Sequence, residues 1–235
     1  MRHRGGIVVI AAVAVAVLLP ATALAAPGDL FGPSGTTVVT PEASNQFAGT
    51  FDRGTGSREF SDRLGAPPDG GTGALELRTP ADGDKVQFIT DEVAGPLARF
   101  AESSYWAVRD PASTAQEGRA PSFQIAADVN GGELGPQELY LLTYLPDAGP
   151  AGEWTRYDLG AGRWCVTQQV GAVDAYQDCR AGGERRSLDE IMDSYPDMSA
   201  YAAGANQGAG DGGLVGAVDL IRVGDRTYDL EPSAP

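Results

Sequence analysis

Histidine is all but missing from this chain: His3 is the only one. It falls in a segment that reads as an export signal, so the exported protein is expected to carry none. That excludes Ser-His-Asp and Cys-His catalysis, histidine zinc sites and histidine acid–base work. Lysine is nearly as scarce, with Lys85 alone, and the other basic residues are arginines. Set beside the abundant Ala and Gly, this usage points to a GC-rich bacterial genome. Seventeen basic residues face 32 acidic ones, and the net charge is −15. Loss of Arg2 and Arg4 with the signal takes it to −17. A chain this acidic repels nucleic acid and anionic membrane surfaces, which excludes both as partners. A run long enough to span a bilayer is also lacking. Ile7–Leu19 is the main apolar stretch, shorter than the roughly 20 residues a spanning helix needs.

The features present at the start are those of a secretory signal. Met1-Arg2-His3-Arg4 is basic, the apolar stretch follows, and Ala23-Leu24-Ala25 supplies small residues at the exit. Cleavage is expected after Ala25 or Ala26. No Cys follows the signal for lipid attachment, and Asp229–Pro235 is polar. The expectation is a secreted, extracellular protein with no membrane attachment after cleavage.

Only two cysteines occur, Cys165 and Cys179, fourteen positions apart. In an exported chain two cysteines most often pair. A bridge here would close a short loop and contribute roughly 3 kcal/mol. The other reading, a metal or redox pair, lacks C-x-x-C spacing and any neighbouring histidine.

Residues 26–45, rich in Pro, Gly, Ser and Thr, read as a flexible lead-in with an edge strand at Thr37-Val38-Val39. From Phe47 the pattern alternates with period two. Leu75, Leu77 and Thr79 oppose Glu76 and Arg78. Val86 and Phe88 oppose Lys85 and Gln87. Phe123, Ile125, Ala127 and Val129 oppose Gln124, Ala126 and Asp128. These are half-buried antiparallel strands. Pro80-Ala81-Asp82-Gly83, Asn130-Gly131-Gly132 and Gly160-Ala161-Gly162 predict short hairpin connections. Further strands are predicted at 138–145, 154–159, 163–167, 201–206, 213–223 and 227–230. One helix is predicted, from Ser187 to Asp193, with Ser187 and Glu190 spaced as a capping box. About ten strands and one short helix predict an all-β, two-sheet antiparallel sandwich as a single domain over 46–232, behind a signal at 1–25.

Gly208-Ala209-Gly210-Asp211-Gly212-Gly213 matches G-x-G-x-x-G. A dinucleotide site needs a helix after it; here a strand follows, and Asp211 would repel phosphate, so it reads as a glycine-rich loop. Two carboxylates alone suffice for glycoside hydrolysis, but Asp189, Glu190 and Asp193 read as the solvated face of the short helix. Strand 138–145 is apolar on both faces, and Leu139, Leu141 and Leu145 are assigned inward. Tyr140 and Tyr144 would then line a concave outer surface joined by Trp106 and Trp154, where aromatic rings can stack on sugars. The plainer reading is that these rings are core or loop cover. Asp219 interrupts the apolar Val218-Asp219-Leu220-Ile221. Such a carboxylate must be hydrogen-bonded to backbone or bound to an ion, with structural calcium as the candidate.

Three segments resemble a group of uncharacterised secreted bacterial proteins with a jelly-roll, lectin-like sandwich. They are Ala66–Leu77 with its proline pair and glycines, Tyr195-Pro196-Asp197 leading to Gly204-Ala205-Asn206-Gln207-Gly208-Ala209-Gly210, and Leu214-Val215-Gly216-Ala217-Val218-Asp219 closing with Thr227–Pro232. The resemblance implies a jelly roll and an extracellular setting, and no reaction. It places Asn206 and Gln207 among the candidate ligand-binding residues. The functional expectation is a non-catalytic, surface-associated carbohydrate-binding protein, its partner a polysaccharide or cell-wall glycan. The alternatives are a carboxylate-dependent glycan hydrolase or lyase and a structural or adhesive envelope protein with a protein partner.

Overall fold

The computed structural model describes residues 35–49, 52–131, 139–170, 185–208 and 210–234. The signal segment, with Ala25 and Ala26, lies outside them. The strands are β1 Gly35–Val39, β2 Phe47–Ala48, β3 Ser57–Ser61, β4 Ala74–Thr79, β5 Val86–Thr90, β6 Gly95–Pro96 and β7 Ser104–Arg109. They continue as β8 Ser122–Asp128, β9 Leu139–Tyr144, β10 Thr155–Asp158, β11 Trp164–Val170, β12 Ser199–Gln207, β13 Leu214–Val223 and β14 Arg226–Leu230. They form two seven-stranded, mainly antiparallel sheets, an all-β sandwich. No helix among the described residues is long and apolar enough to cross a membrane.

The first sheet is built around β13. One edge of β13 pairs with β4 over Leu214–Val218 and then with β14 over Ile221–Val223. Its other edge pairs with β7, and β10 pairs with β7 in turn. β3 lies outside β4, and β1 lies parallel to β14. The edge strand expected at Thr37-Val38-Val39 is present as β1, which begins at Gly35. The second sheet runs β11-β9-β8-β12-β5-β2, with β6 also on β12.

The period-two pattern explains the core. Leu75 and Leu77 of the first sheet and Phe88, Phe123 and Ile125 of the second are buried in one cluster. Phe47 stacks on Phe88 at 4.2 Å between centroids. Tyr105, Phe123, Tyr144, Tyr157 and Trp164 form an aromatic group in edge and tilted contacts. The buried Tyr105 hydroxyl donates to the Pro121 carbonyl at 2.9 Å.

The helix α1 Leu188–Ser194 starts as its sequence dictates. The Glu190 N–H donates to Ser187 Oγ, and the Ser187 N–H donates to Glu190 Oε2 at 2.7 Å, closing the capping box. Leu188 and Ile191 face the core, while Asp189, Glu190 and Asp193 are exposed.

Two of the three predicted hairpins are corrected. The turn at 80–83 leads from β4 in the first sheet to β5 in the second, and 160–162 leads from β10 in the first to β11 in the second. Alternation shows that a strand has an inner face, but it does not say which sheet supplies the neighbour. Asp84 holds the first of these crossings. Its carboxylate accepts from Ala81 N–H at 2.8 Å, Thr55 N–H at 2.8 Å and the Thr55 hydroxyl at 3.0 Å. The Thr55 and Ala81 N–H donors hold this carboxyl below its usual value, against the opposing effect of burial. A depressed carboxylate contributes stability that is present above its unfolded pKa, about 4, and lost as pH falls through the folded value. Asp84→Asn is therefore expected to flatten the acid limb of the stability–pH curve, as read by thermal melts between pH 2 and 6. An unchanged acid limb would contradict this role.

Candidate functional site

The four aromatic candidates do not form one surface. Tyr140 is fully buried inside the sandwich, and Tyr144 packs inward on Tyr105, Tyr157 and Trp164. The inward assignment of Leu141 is thus reversed: it lies on the outer face with Ile89, Ala126 and Ala202. Both faces of β9 are apolar, so alternation had nothing to choose between them. Trp106 and Trp154 lie on the outside of the other sheet. Trp106 stands opposite Asp219 in register. Trp154 covers Ala74, Val108 and Ala217, and its indole N–H donates to the Leu64 carbonyl at 3.2 Å.

Gln207 is fully buried as well. Its amide nitrogen donates to Thr79 Oγ1 at 2.8 Å and to the Leu214 carbonyl at 2.9 Å, joining β12 to the first sheet. Asn206, one residue earlier, points the other way, onto the outer face of the second sheet.

That face carries a polar row whose members Lys85, Gln87, Ser122, Gln124, Thr143 and Asn206 are all buried. The register sets Asn206 beside Gln87 and Ser122, and Gly204 beside Ile89 and Gln124. Gln124 in turn stands beside Thr143. Gly204 has no side chain to interpose, so the amides of Gln87 and Gln124 meet across β12. Lys85 Nζ donates to Gln124 Oε1 at 3.1 Å, and Gln124 Nε2 to Thr143 Oγ1 at 2.8 Å. Asn206 Nδ2 donates to Ser122 Oγ at 2.8 Å, while Asn206 Oδ1, though buried, has no hydrogen-bond partner. Along the same face runs the apolar patch of Ile89, Ala126, Leu141 and Ala202, with half-buried Tyr201 packed against it. A register shift between Ala200 and Ala202 puts Tyr201 there. Neither Tyr201 nor the two glutamines was singled out in the sequence. The signal for the glutamines was present, since Gln87 and Gln124 are the polar partners in their alternating strands.

Cys165 is buried on β11 beside Thr143 in register. Its expected partner Cys179 lies outside the described residues. Gly208 and residues 210–213 lie between two strands, with no helix following, as a plain glycine-rich connection.

A second polar site surrounds Asp219. β13 changes partner here, from β4 at Val218 to β14 at Ile221. The chain kinks at Leu220, whose φ is +43°. Asp219 is fully buried. Its Oδ1 accepts the N–H groups of Leu220 at 2.6 Å and Leu230 at 2.7 Å, and its Oδ2 accepts none. Asp229 and Glu231 each place a carboxylate oxygen within 4.8 Å of it and of one another. Glu231 is held by the N–H of Thr72 at 2.9 Å and its hydroxyl at 2.9 Å. Burial pushes the Asp219 carboxyl up to about 8, the two N–H donors oppose, and the charges of Asp229 and Glu231 add to the rise. Burial and Glu231 raise Asp229 too. The sequence pointed to Asp219 alone; Asp229 and Glu231 join it only because β14 returns alongside β13.

No protein-family model, curated protein or solved structure matches the chain.

Proposed function

We propose that the chain is a secreted, non-catalytic bacterial β-sandwich protein, bridged between Cys165 and Cys179, that binds carbohydrate at the cell surface. The site is the outer face of the second sheet around half-buried Tyr201, with the buried polar row behind it. The observation that carries this reading is the half-buried Tyr201 ring on the apolar cluster of that face, with the amides of the polar row and the unpaired Asn206 Oδ1 further along the same strands. Amides both donate and accept, which matches the hydroxyls of a sugar, and an aromatic ring covers the apolar face of a pyranose. Absence of histidine after position 3 supports the non-catalytic part.

The test is retention on a panel of insoluble polysaccharides and purified cell wall. One polymer is expected to retain the protein. Tyr201→Ala is expected to lower that retention by up to about tenfold, given about 0.5–1.5 kcal/mol for a stacked ring, with little change in Tm. Trp154→Ala, on the other sheet, is expected to leave retention unchanged. Retention that survives Tyr201→Ala and Asn206→Ala together would remove the site. No retention on any polymer would favour a protein partner.

A further inference from the structure

Two buried carboxylate oxygens, Asp219 Oδ2 and Asp229 Oδ1, have no hydrogen-bond partner. Such an atom loses its water without compensation, a cost that native proteins rarely leave unanswered. Here both belong to a group of three acids, so the missing partner must be positive, or the group must hold protons. The donor set is all oxygen: three carboxylates, no imidazole and no thiol. Hard cations with oxygen coordination suit it, and calcium tolerates the irregular geometry that side chains from two strands impose.

The backbone around the group is built for close approach. The loop before β4 runs directly over the acids. A Cβ on Gly70 would lie 2.8 Å from Asp219 Oδ2, and one on Gly71 would lie 2.1 Å from Glu231 Oε1. Neither position admits a side chain without displacing a carboxylate. Asp69 just before them has φ +67°, a left-handed conformation that few non-glycine residues adopt. The loop, β13 and β14 thus converge on one point.

We propose that Asp219, Asp229 and Glu231 form a calcium site that ties the loop at 69–72 and β14 to the switch point of β13. It goes beyond the glycan reading and is independent of it, since it lies on the opposite sheet from the polar row. The ion would be structural, joining segments whose strand pairing is interrupted at Asp219.

The experiment is a calcium titration of the purified, EGTA-treated protein by calorimetry and thermal melts, with magnesium in parallel. One calcium per chain is expected, with Tm rising about 5–10 °C at a hundredfold excess over Kd. Magnesium is expected to be much weaker. Asp229→Asn is expected to abolish the Tm rise. This variant is the informative one because Asp229 is only partly buried and its loss leaves the backbone bonds of Asp219 intact. Glu153→Gln, at an exposed acid outside the group, is expected to keep the full rise. No heat and no Tm change up to 10 mM calcium, with the protein folded, would overturn the site and leave a proton-sharing carboxyl group. A full Tm rise in Asp229→Asn would equally overturn it. Glycan retention is read separately, so failure of either proposal is recognised without the other.

Discussion

Trp164→Ala is expected to destabilise the protein by about 3–5 kcal/mol, the range for deleting a large buried aromatic. Trp164 is fully buried, at the meeting of Phe123, edge-on at 6.3 Å, and Tyr144 at 5.8 Å. The indole N–H also donates to the Leu159 carbonyl at 3.2 Å. Alanine would leave a cavity and remove one of the two donors to that carbonyl, which keeps the Gly162 N–H. The Trp164 backbone exchanges two hydrogen bonds with Arg186, so β11 also anchors the segment that enters α1. In urea unfolding the midpoint should fall with the slope m unchanged, and Tm should drop by roughly 6–20 °C. Trp164→Phe should recover much of the loss, because it refills most of the volume, although it lacks the indole N–H that donates to Leu159. A loss below 1 kcal/mol in the alanine variant would mean that this part of the core is not packed as described.

The second large effect is expected at Arg109. Its guanidinium is buried and held by four backbone carbonyls: Gln116 at 2.9 Å and Arg119 at 3.1 Å on one nitrogen, Ser113 at 3.2 Å and Ala115 at 2.6 Å on the other. One side chain therefore holds four carbonyls of the 113–119 loop, whose Thr114 and Ala115 N–H groups turn to the Gly213 carbonyl. Arg109→Met keeps the stem and removes the donors, at a cost of roughly 3 kcal/mol or more, given about 1.5–3 kcal/mol for each charged hydrogen bond and incomplete additivity. Arg109→Lys should recover less than half of this, since an ammonium lacks the planar fork that reaches four acceptors. Limited proteolysis should show new cleavage between Ser113 and Arg119 in Arg109→Met before global unfolding. Cleavage spread evenly over the chain would point to a general loss of stability instead.

Neither residue stood out in the sequence. Trp164 is one aromatic of several, and Arg109 ends β7, where Tyr105, Trp106, Ala107 and Val108 run apolar without alternation. The fold class was legible, because period-two alternation at 75–79, 86–88 and 123–129 reports burial directly. The capping box was legible because it is local: Ser187 and Glu190 need only each other. Sheet membership was not, since the turns at 80–83 and 160–162 look alike whether they fold a strand back or send it across. The site was half legible. Asp219 announced itself by its apolar neighbours, and Asn206 by its motif. The face of β9 was read backwards because Leu141 and Tyr140 bury equally well. Tyr201 depended on a register shift, and Asp229 and Glu231 on a long-range return, neither of which leaves a local trace.

The parallel pairing of β1 with β14 bears on how the molecule assembles. Gly35 meets Arg226 and Val39 meets Leu230, while β4 waits for β13 as its inner neighbour. The first sheet is stitched from the two ends of the chain and so has a very high contact order, whereas β8 and β9 pair as successive strands of the second sheet. High contact order slows folding. A chain emerging from its N-terminus can pair β8 with β9 and β11 early, but β12 must arrive to join β8 to β5, and the first sheet cannot close until β13 and β14 follow. During that interval β1, β3 and β4 offer open edges, so this half of the molecule is where premature release or C-terminal truncation would turn a folding chain into an aggregating one.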